Sequence, residues 1–209
     1  MTTEITNIVD DALVGRRLLE HPFYRRWEEG LLGHGELRDY ADQYRYFEAS
    51  LPTTLTDIEA SLPDGPARDA VEANRADEVA VPSHLDLFEQ FAAHYGAEGA
   101  PASPAMSQLL GAYRECVARS STAALAGLLA YEIQGAEIAT SKAVGLVEHY
   151  GASRPATEFW RLHGEVEGDH AQWLIDAMEI DDVDEAIYGS RLVADAWWAF
   201  LDEREAVAA

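Results

Sequence analysis

Residues 36–61 read ELRDYADQYRYFEASLPTTLTDIEAS. Leu37, Tyr40, Tyr44, Phe47 and Leu51 recur there at steps of three and four, which puts the apolar side chains on one face of a helix. Pro52 predicts a kink, because its ring removes a backbone donor and crowds the preceding turn. The same period extends outward in both directions, and strand-type alternation is scarce. Breakers fall at 63–66 (PDGP), 96–104 (GAEGAPASP), 151–155 (GASRP) and 180–184 (IDDVD). Helices are therefore predicted over 4–19, 22–29, 36–61, 66–94, 105–118, 121–150, 155–178 and 183–206, with Ser107, Ser121 and Thr157 as caps near starts. The expected fold is all-α, a single domain over 1–209 made of seven or eight helices with short connections.

Composition narrows the function. The chain has 209 residues, 48% of them hydrophobic, enough for one sizeable core. Its 38 acidic residues face 15 basic ones, a net charge of −23 that repels nucleic acid and anionic membranes. The acids are spread along the whole chain, as in a salt-adapted (halophilic) cytoplasmic protein. Cys116 is the only cysteine, so no internal disulfide can form and a reducing, cytoplasmic setting is expected. The N-terminal residues lack a basic start followed by an apolar run, and no stretch approaches about 18 consecutive apolar residues. Lys142 is the only lysine among those 15 basic residues. A chain that has replaced lysine everywhere else keeps it where an arginine cannot serve: as a primary amine whose pKa falls on desolvation.

Three segments carry ligand-type residues. In HGEVEGDH (163–170), His163, Glu167 and His170 stand at i, i+4 and i+7, within about 40° and −20° of one helical stripe. In RADEVAVPSHLDLF (75–88), Asp77 and His84 are seven apart and share a face. Glu78 is six from His84 and points away in a straight helix, but Pro82 disturbs the helix and keeps Glu78 in play. Glu132 lies in the otherwise apolar LLAYEIQG (128–135), where a carboxylate needs a partner from another helix: a metal, Tyr131 or an arginine. Imidazole and carboxylate without thiolate suit iron or manganese better than structural zinc. His21, His34, His94 and His149 stand next to turns and read as structural, with His21 a candidate support for the site.

Taken together, HPFYRRWEEG (21–30), ELRDYADQYRYF (36–47), DEVAVPSHLDLFEQF (77–91), LLAYEIQGAEIATSKAVGL (128–146) and HGEVEGDHAQW (163–173) resemble the heme-oxygenase-like dimetal oxidases. That family shares its up-and-down bundle of about seven helices with thiaminase-type and pyrroloquinoline-quinone-synthase-type proteins. Within it, the chain is most similar to the CADD-type para-aminobenzoate synthases, over about residues 12–200. The resemblance implies two Fe or Mn/Fe ions on Asp77, His84, Glu132, His163, Glu167 and His170, fed by O2 and an external reductant. It implies a self-sacrificing synthase that takes the aromatic ring from its own Tyr24, with Tyr40 a second site tyrosine and Lys142 the amino donor, for folate or pterin supply. A homodimer is expected, with an unidentified electron donor and neither nucleic acid nor membrane as partner.

Three positions depart from the family pattern. The first ligand is usually glutamate and falls on Asp77; a family tyrosine falls on Phe159; and Glu167 replaces an aspartate. Lys142, ten residues after Glu132, is about −80° round the helix from it and should line the pocket beside the ligand stripe. Two other readings stand beside this one. The same fold and metal site could oxidise an external amine or acid, as an N-oxygenase or fragmenting oxidase does. A metal-free thiaminase-like protein would need a cysteine nucleophile, and Cys116 in AYRECVARS has no matching motif around it.

Overall fold

The computed structural model describes residues 2–178 and 182–207. Among these, α1 (Thr2–Ala12), α2 (Pro22–Glu28), α3 (His34–Ser61), α4 (Pro66–Glu78), α5 (His84–Tyr95), α6 (Pro104–Arg119), α7 (Ser121–Glu148), α8 (Arg154–Ala177) and α9 (Val183–Val207) form the fold, with one 3-10 turn at Leu18–Glu20. No strand occurs among the described residues, as the sequence predicts.

Each boundary has a local cause. Helix α1 stops at Ala12, short of the predicted 19, because the chain turns at Gly15 with φ of 69°. The predicted helix over 66–94 is two helices. Helix α4 ends at Glu78, and α5 starts behind Ser83, whose hydroxyl accepts from the Asp86 N–H while the Asp86 carboxylate accepts from the Ser83 N–H. The caps of α6 and α7 are Ser103 and Ser120 rather than Ser107 and Ser121. Thr157 lies inside α8, its hydroxyl donating to the Arg154 carbonyl. Part of the predicted break at 180–184 lies outside the described residues.

Helix α7 is the axis of the bundle, lying against both α8 and α9. Its run Ala123–Ala130 is buried on every side, the signature of a helix with no solvent face. Close approach to α9 requires Gly189, where an added Cβ would meet the Ala123 carbonyl oxygen at 2.1 Å. Helix α3 crosses the bundle and continues through Pro52 to Ser61. The proline leaves the Glu48 carbonyl without an N–H from its own helix. Rings from α2 (Trp27), α3 (Tyr40, Tyr44), α5 (Phe88, Phe91) and α8 (Trp160) pack edge to face or offset, with Tyr40 and Tyr44 stacked 5.3 Å apart. Side chains locked in this way hold the polar site beside them in place.

Candidate metal centre

Six buried donors converge from four helices. Glu78, His84 and His163 form one cluster and Glu132, Glu167 and His170 a second; within each, one donor atom per residue lies within 4.8 Å of the others. The break at 79–83 explains why Glu78 enters the first cluster. Six residues on a continuous helix would separate it from His84, but α4 ends at Glu78 and α5 starts a new axis at His84.

Asp77 belongs to neither cluster, although the resemblance assigns it the first ligand position. Its carboxylate is half exposed and meets Nε2 of His170 at 3.1 Å, which leaves Nδ1 of that ring facing Glu132 at 4.0 Å. A carboxylate behind an imidazole in this way fixes the ring's tautomer and orientation for a metal. His163 is oriented similarly: its Nδ1 donates to the Phe159 carbonyl at 2.9 Å, leaving Nε2 toward Glu167. Phe159 itself puts an apolar ring 4.0 Å from the His163 ring, at the position where the resemblance implies a tyrosine. Glu132 accepts from Asn74 Nδ2 at 3.0 Å, and Tyr131 bonds Tyr44 instead of Glu132. His21 stands outside both clusters and caps α2, accepting from the Phe23 N–H.

The site as it stands is under electrostatic stress. Burial first and Glu132 second push the Glu78 carboxyl up to about 8. Burial and the same neighbour raise Glu167 well above the usual range. Burial lowers His84, and burial with His84 beside it lowers His163 further. Buried donors also lack partners: Nδ1 of His84 and His170, and Oε2 of Glu132 and Glu167. Nδ1 of His84 lies 2.9 Å from Glu78 Oε2 without the alignment of a hydrogen bond. Unpaired lone pairs aimed at one another in a dry core are costly unless a cation sits between them. The donors present therefore fit metal ions. Imidazole and carboxylate without thiolate match iron or manganese.

Beside the clusters runs a line of phenols ending in the single lysine. Lys142 is buried on α7, and its Nζ donates to Tyr40 Oη at 2.5 Å. Tyr40 Oη is 2.9 Å from Tyr24 Oη. The amine lies 4.0 Å from the Trp160 ring centroid, 4.6 Å from that of Tyr24 and 4.9 Å from those of Tyr40 and Tyr44. Burial holds its pKa well below the ordinary lysine value, with Glu48 opposing. Burial likewise raises Tyr24 and Tyr40 above the ordinary tyrosine range. Tyr24 reaches this place from α2. Glu48, Asn74 and Tyr44 are site neighbours that residue spacing did not single out. Glu48 had a readable signal, since it continues the Tyr40–Tyr44 stripe at a four-residue step and places a carboxylate on an apolar face.

The bundle and its paired histidine–carboxylate clusters place the chain in the heme-oxygenase-like class of helical redox proteins. Residues 38–204 match the iron-containing redox enzyme family, and the chain belongs to that family. It is 34% identical over 216 residues to a 4-aminobenzoate synthase of Nitrosomonas europaea, covering 93% of this chain and 88% of that one. A 4-aminobenzoate synthase of Chlamydia muridarum is 31% identical over 205 residues, covering 93% and 87%. Among solved structures, a CADD-like protein of unknown function from Nostoc punctiforme superposes with a TM-score of 0.79 at 18% identity, over 97% of this chain and 96% of that one. A TenA homologue from P. horikoshii shares the fold at a TM-score of 0.74 and 15% identity, over 98% of each chain.

Proposed function

We propose that this protein is a 4-aminobenzoate (para-aminobenzoate) synthase that spends its own Tyr24 as the ring and Lys142 as the amine. The observation that carries the reading is the 4.6 Å between the only lysine's Nζ and the Tyr24 ring, with Tyr40 hydrogen-bonded to both. The product bears an amine para to a carboxylate, whereas tyrosine bears a hydroxyl para to Cβ. The ring must exchange its oxygen for nitrogen, and Cβ must be oxidised and part from Cα. An amine held against the ring face is the arrangement such an exchange needs.

Glu78, His84, His163, Glu132, Glu167 and His170 would hold two iron ions or a manganese–iron pair, with Asp77 orienting His170. When bound, the metals supply activation of O2 and oxidation of the phenol, with electrons from an external reductant. The remaining work falls to the chain. Burial favours a neutral Lys142, whose lone pair is free to attack carbon or take a proton. The proton leaving Tyr24 Oη has an acceptor at Tyr40 Oη, and Tyr40 can pass one to Nζ. The ring wall of Trp27, Tyr44 and Trp160 keeps water from the amine. The thiaminase-like alternative finds no support in Cys116, whose thiol is buried against the Gly189 carbonyl and pushed up to about 12.

The test is peptide mass on iron- or manganese–iron-loaded protein before and after O2 and reductant, with 4-aminobenzoate assayed in the same tube. Mass loss confined to the Tyr24 and Lys142 peptides, with no more than one product per chain, is the expected result. Repeated turnover on an added amine or acid with an intact chain would falsify the self-sacrificing reading.

A further inference from the structure

Between α7 and α8 lies a cleft of about 420 Å3 that shares no residue with either metal cluster. That volume falls at the small end of the range for small-molecule sites, about 300–1,000 Å3. On the α7 side it is lined by Ala143, Val144 and Val147. Val144 is 48% exposed and Val147 61% exposed, an apolar strip on a chain whose net charge is −23. On the α8 side it is lined by Trp160, and this residue joins the cleft to the amine. Lys142 Nζ stands 4.0 Å from the Trp160 ring centroid and 4.6 Å from that of Tyr24. One indole therefore borders both the cleft and the chamber that holds Tyr24 and Lys142.

The polar groups of the cleft define what it can hold. Trp160 is buried, and its Nε1 has no acceptor among the described residues. A buried indole N–H ordinarily has one. Arg161, the next residue, also lines the cleft with its side chain half exposed. Among the described residues its guanidinium meets only Glu158, at 3.6 Å, which is too long for a hydrogen bond. Two donors without acceptors suit a carboxylate, which has an oxygen for each and gains from the arginine charge. Glu148 and Glu165 line the same cleft. They repel a second acidic group on a ligand and accept from a neutral amine.

We propose that this cleft binds a small aromatic carboxylate carrying a hydrogen-bond donor on its ring, and that 4-aminobenzoate occupies it on leaving the chamber past Trp160. The ring would lie on Val144 and Val147, with the carboxylate on Trp160 Nε1 and Arg161 and the amine toward Glu148 or Glu165. The identity of the ligand rests on the synthase reading; the cleft and its free donors do not.

The experiment is equilibrium dialysis of the full chain against 4-aminobenzoate, kept anaerobic so that no product is made, with aniline as the ligand that lacks the carboxylate. Wild type should bind one 4-aminobenzoate per chain and hold aniline at least about tenfold more weakly, as loss of a charge-assisted hydrogen bond does. Arg161→Gln removes the guanidinium, and Val144→Trp fills the cleft from a half-exposed position. Each should weaken 4-aminobenzoate at least about tenfold. Thermal melts of both variants show that they fold, and Arg161→Gln, at the surface, keeps the test open if Val144→Trp does not. No binding by wild type, aniline held as tightly as 4-aminobenzoate, or unchanged affinity in either folded variant would overturn the proposal. The peptide-mass assay judges the synthase reading separately. Product formation without binding here would sink the cleft alone, and binding here without product formation would sink the synthase reading and leave the cleft a site for another aromatic acid.

Discussion

Lys142 Nζ and Tyr40 Oη lie 2.5 Å apart in a pocket closed by five aromatic rings. Burial disfavours the charged amine there and holds its folded pKa well below the value of about 10.4 it has when unfolded. The native state then binds fewer protons than the unfolded chain between those two values. Wild-type stability accordingly rises with pH across that window, by about 1.4 kcal/mol per pH unit at most. Lys142→Met carries no proton in either state. The stability of the variant apoprotein relative to wild type should be greatest near neutral pH and shrink as pH approaches 10. Thermal midpoints of both proteins at pH 6, 7.5 and 9 check this, and a difference that stays constant or grows would show that the lysine is charged in the fold.

Tyr40 joins the amine to the sacrificial ring. Tyr40→Phe keeps the stacking on Tyr44 and Phe23 but removes the hydroxyl that both Lys142 and Tyr24 bond. Two buried polar groups lose a partner, a cost of about 1–3 kcal/mol to the fold. Product per chain should form at least about a hundredfold more slowly, as when a positioned proton acceptor is lost. Metal stoichiometry should not change, since Tyr40 belongs to neither cluster. Single-turnover kinetics beside a metal assay would separate the two effects, and a normal rate would remove Tyr40 from the proton route.

Asp77 gives a contrasting case. The sequence shows Asp77 and His84 seven apart, the spacing of one helical face, and a straight helix makes Asp77 the ligand. The structure breaks the helix after Glu78, and the Ser83–Asp86 capping box that starts the next one was present in the sequence as S-x-x-D. The periodicity of α8 needed no such correction, because no breaker lies between His163 and His170. Tertiary neighbours were harder to read. Glu48 carries a signal in its place on the Tyr40–Tyr44 stripe, but among 38 acidic residues that signal is easily lost, and the packing of α3 is what shows the position buried. The Lys142–Tyr40–Tyr24 line joins three helices, and residue spacing within one helix cannot specify it.

From that placement Asp77→Asn should behave as a supporting change. Its side chain is 49% exposed, so apoprotein stability should move by no more than about 0.5 kcal/mol. The amide still reaches His170 but no longer strengthens the ring as a donor, and affinity for one ion should fall about 10- to 100-fold. Glu78→Gln, which removes a donor from the cluster itself, should lose more. Calorimetric titration of the two variants side by side decides between the roles. Asp77→Asn losing as much as Glu78→Gln would return Asp77 to direct ligation.

Gly135 tests the second cluster from the backbone side. It lies on α7 less than one turn after Glu132, and a Cβ added there would stand 2.7 Å from Glu167 Oε2 and 3.2 Å from its Cβ. Real Cβ contacts do not come that close, so Gly135→Ala must push the Glu167 side chain away from Glu132 and His170. Alanine favours the helix over glycine by about 1 kcal/mol, which offsets part of the packing strain and lets the apoprotein fold. The displaced carboxylate leaves Glu132 and His170 with two donors where three converged. One ion should therefore be lost or weakened at least about tenfold, with helical content unchanged by circular dichroism. Retention of both ions with wild-type affinity would mean that Glu167 is not a ligand and that its burial against Gly135 serves packing alone.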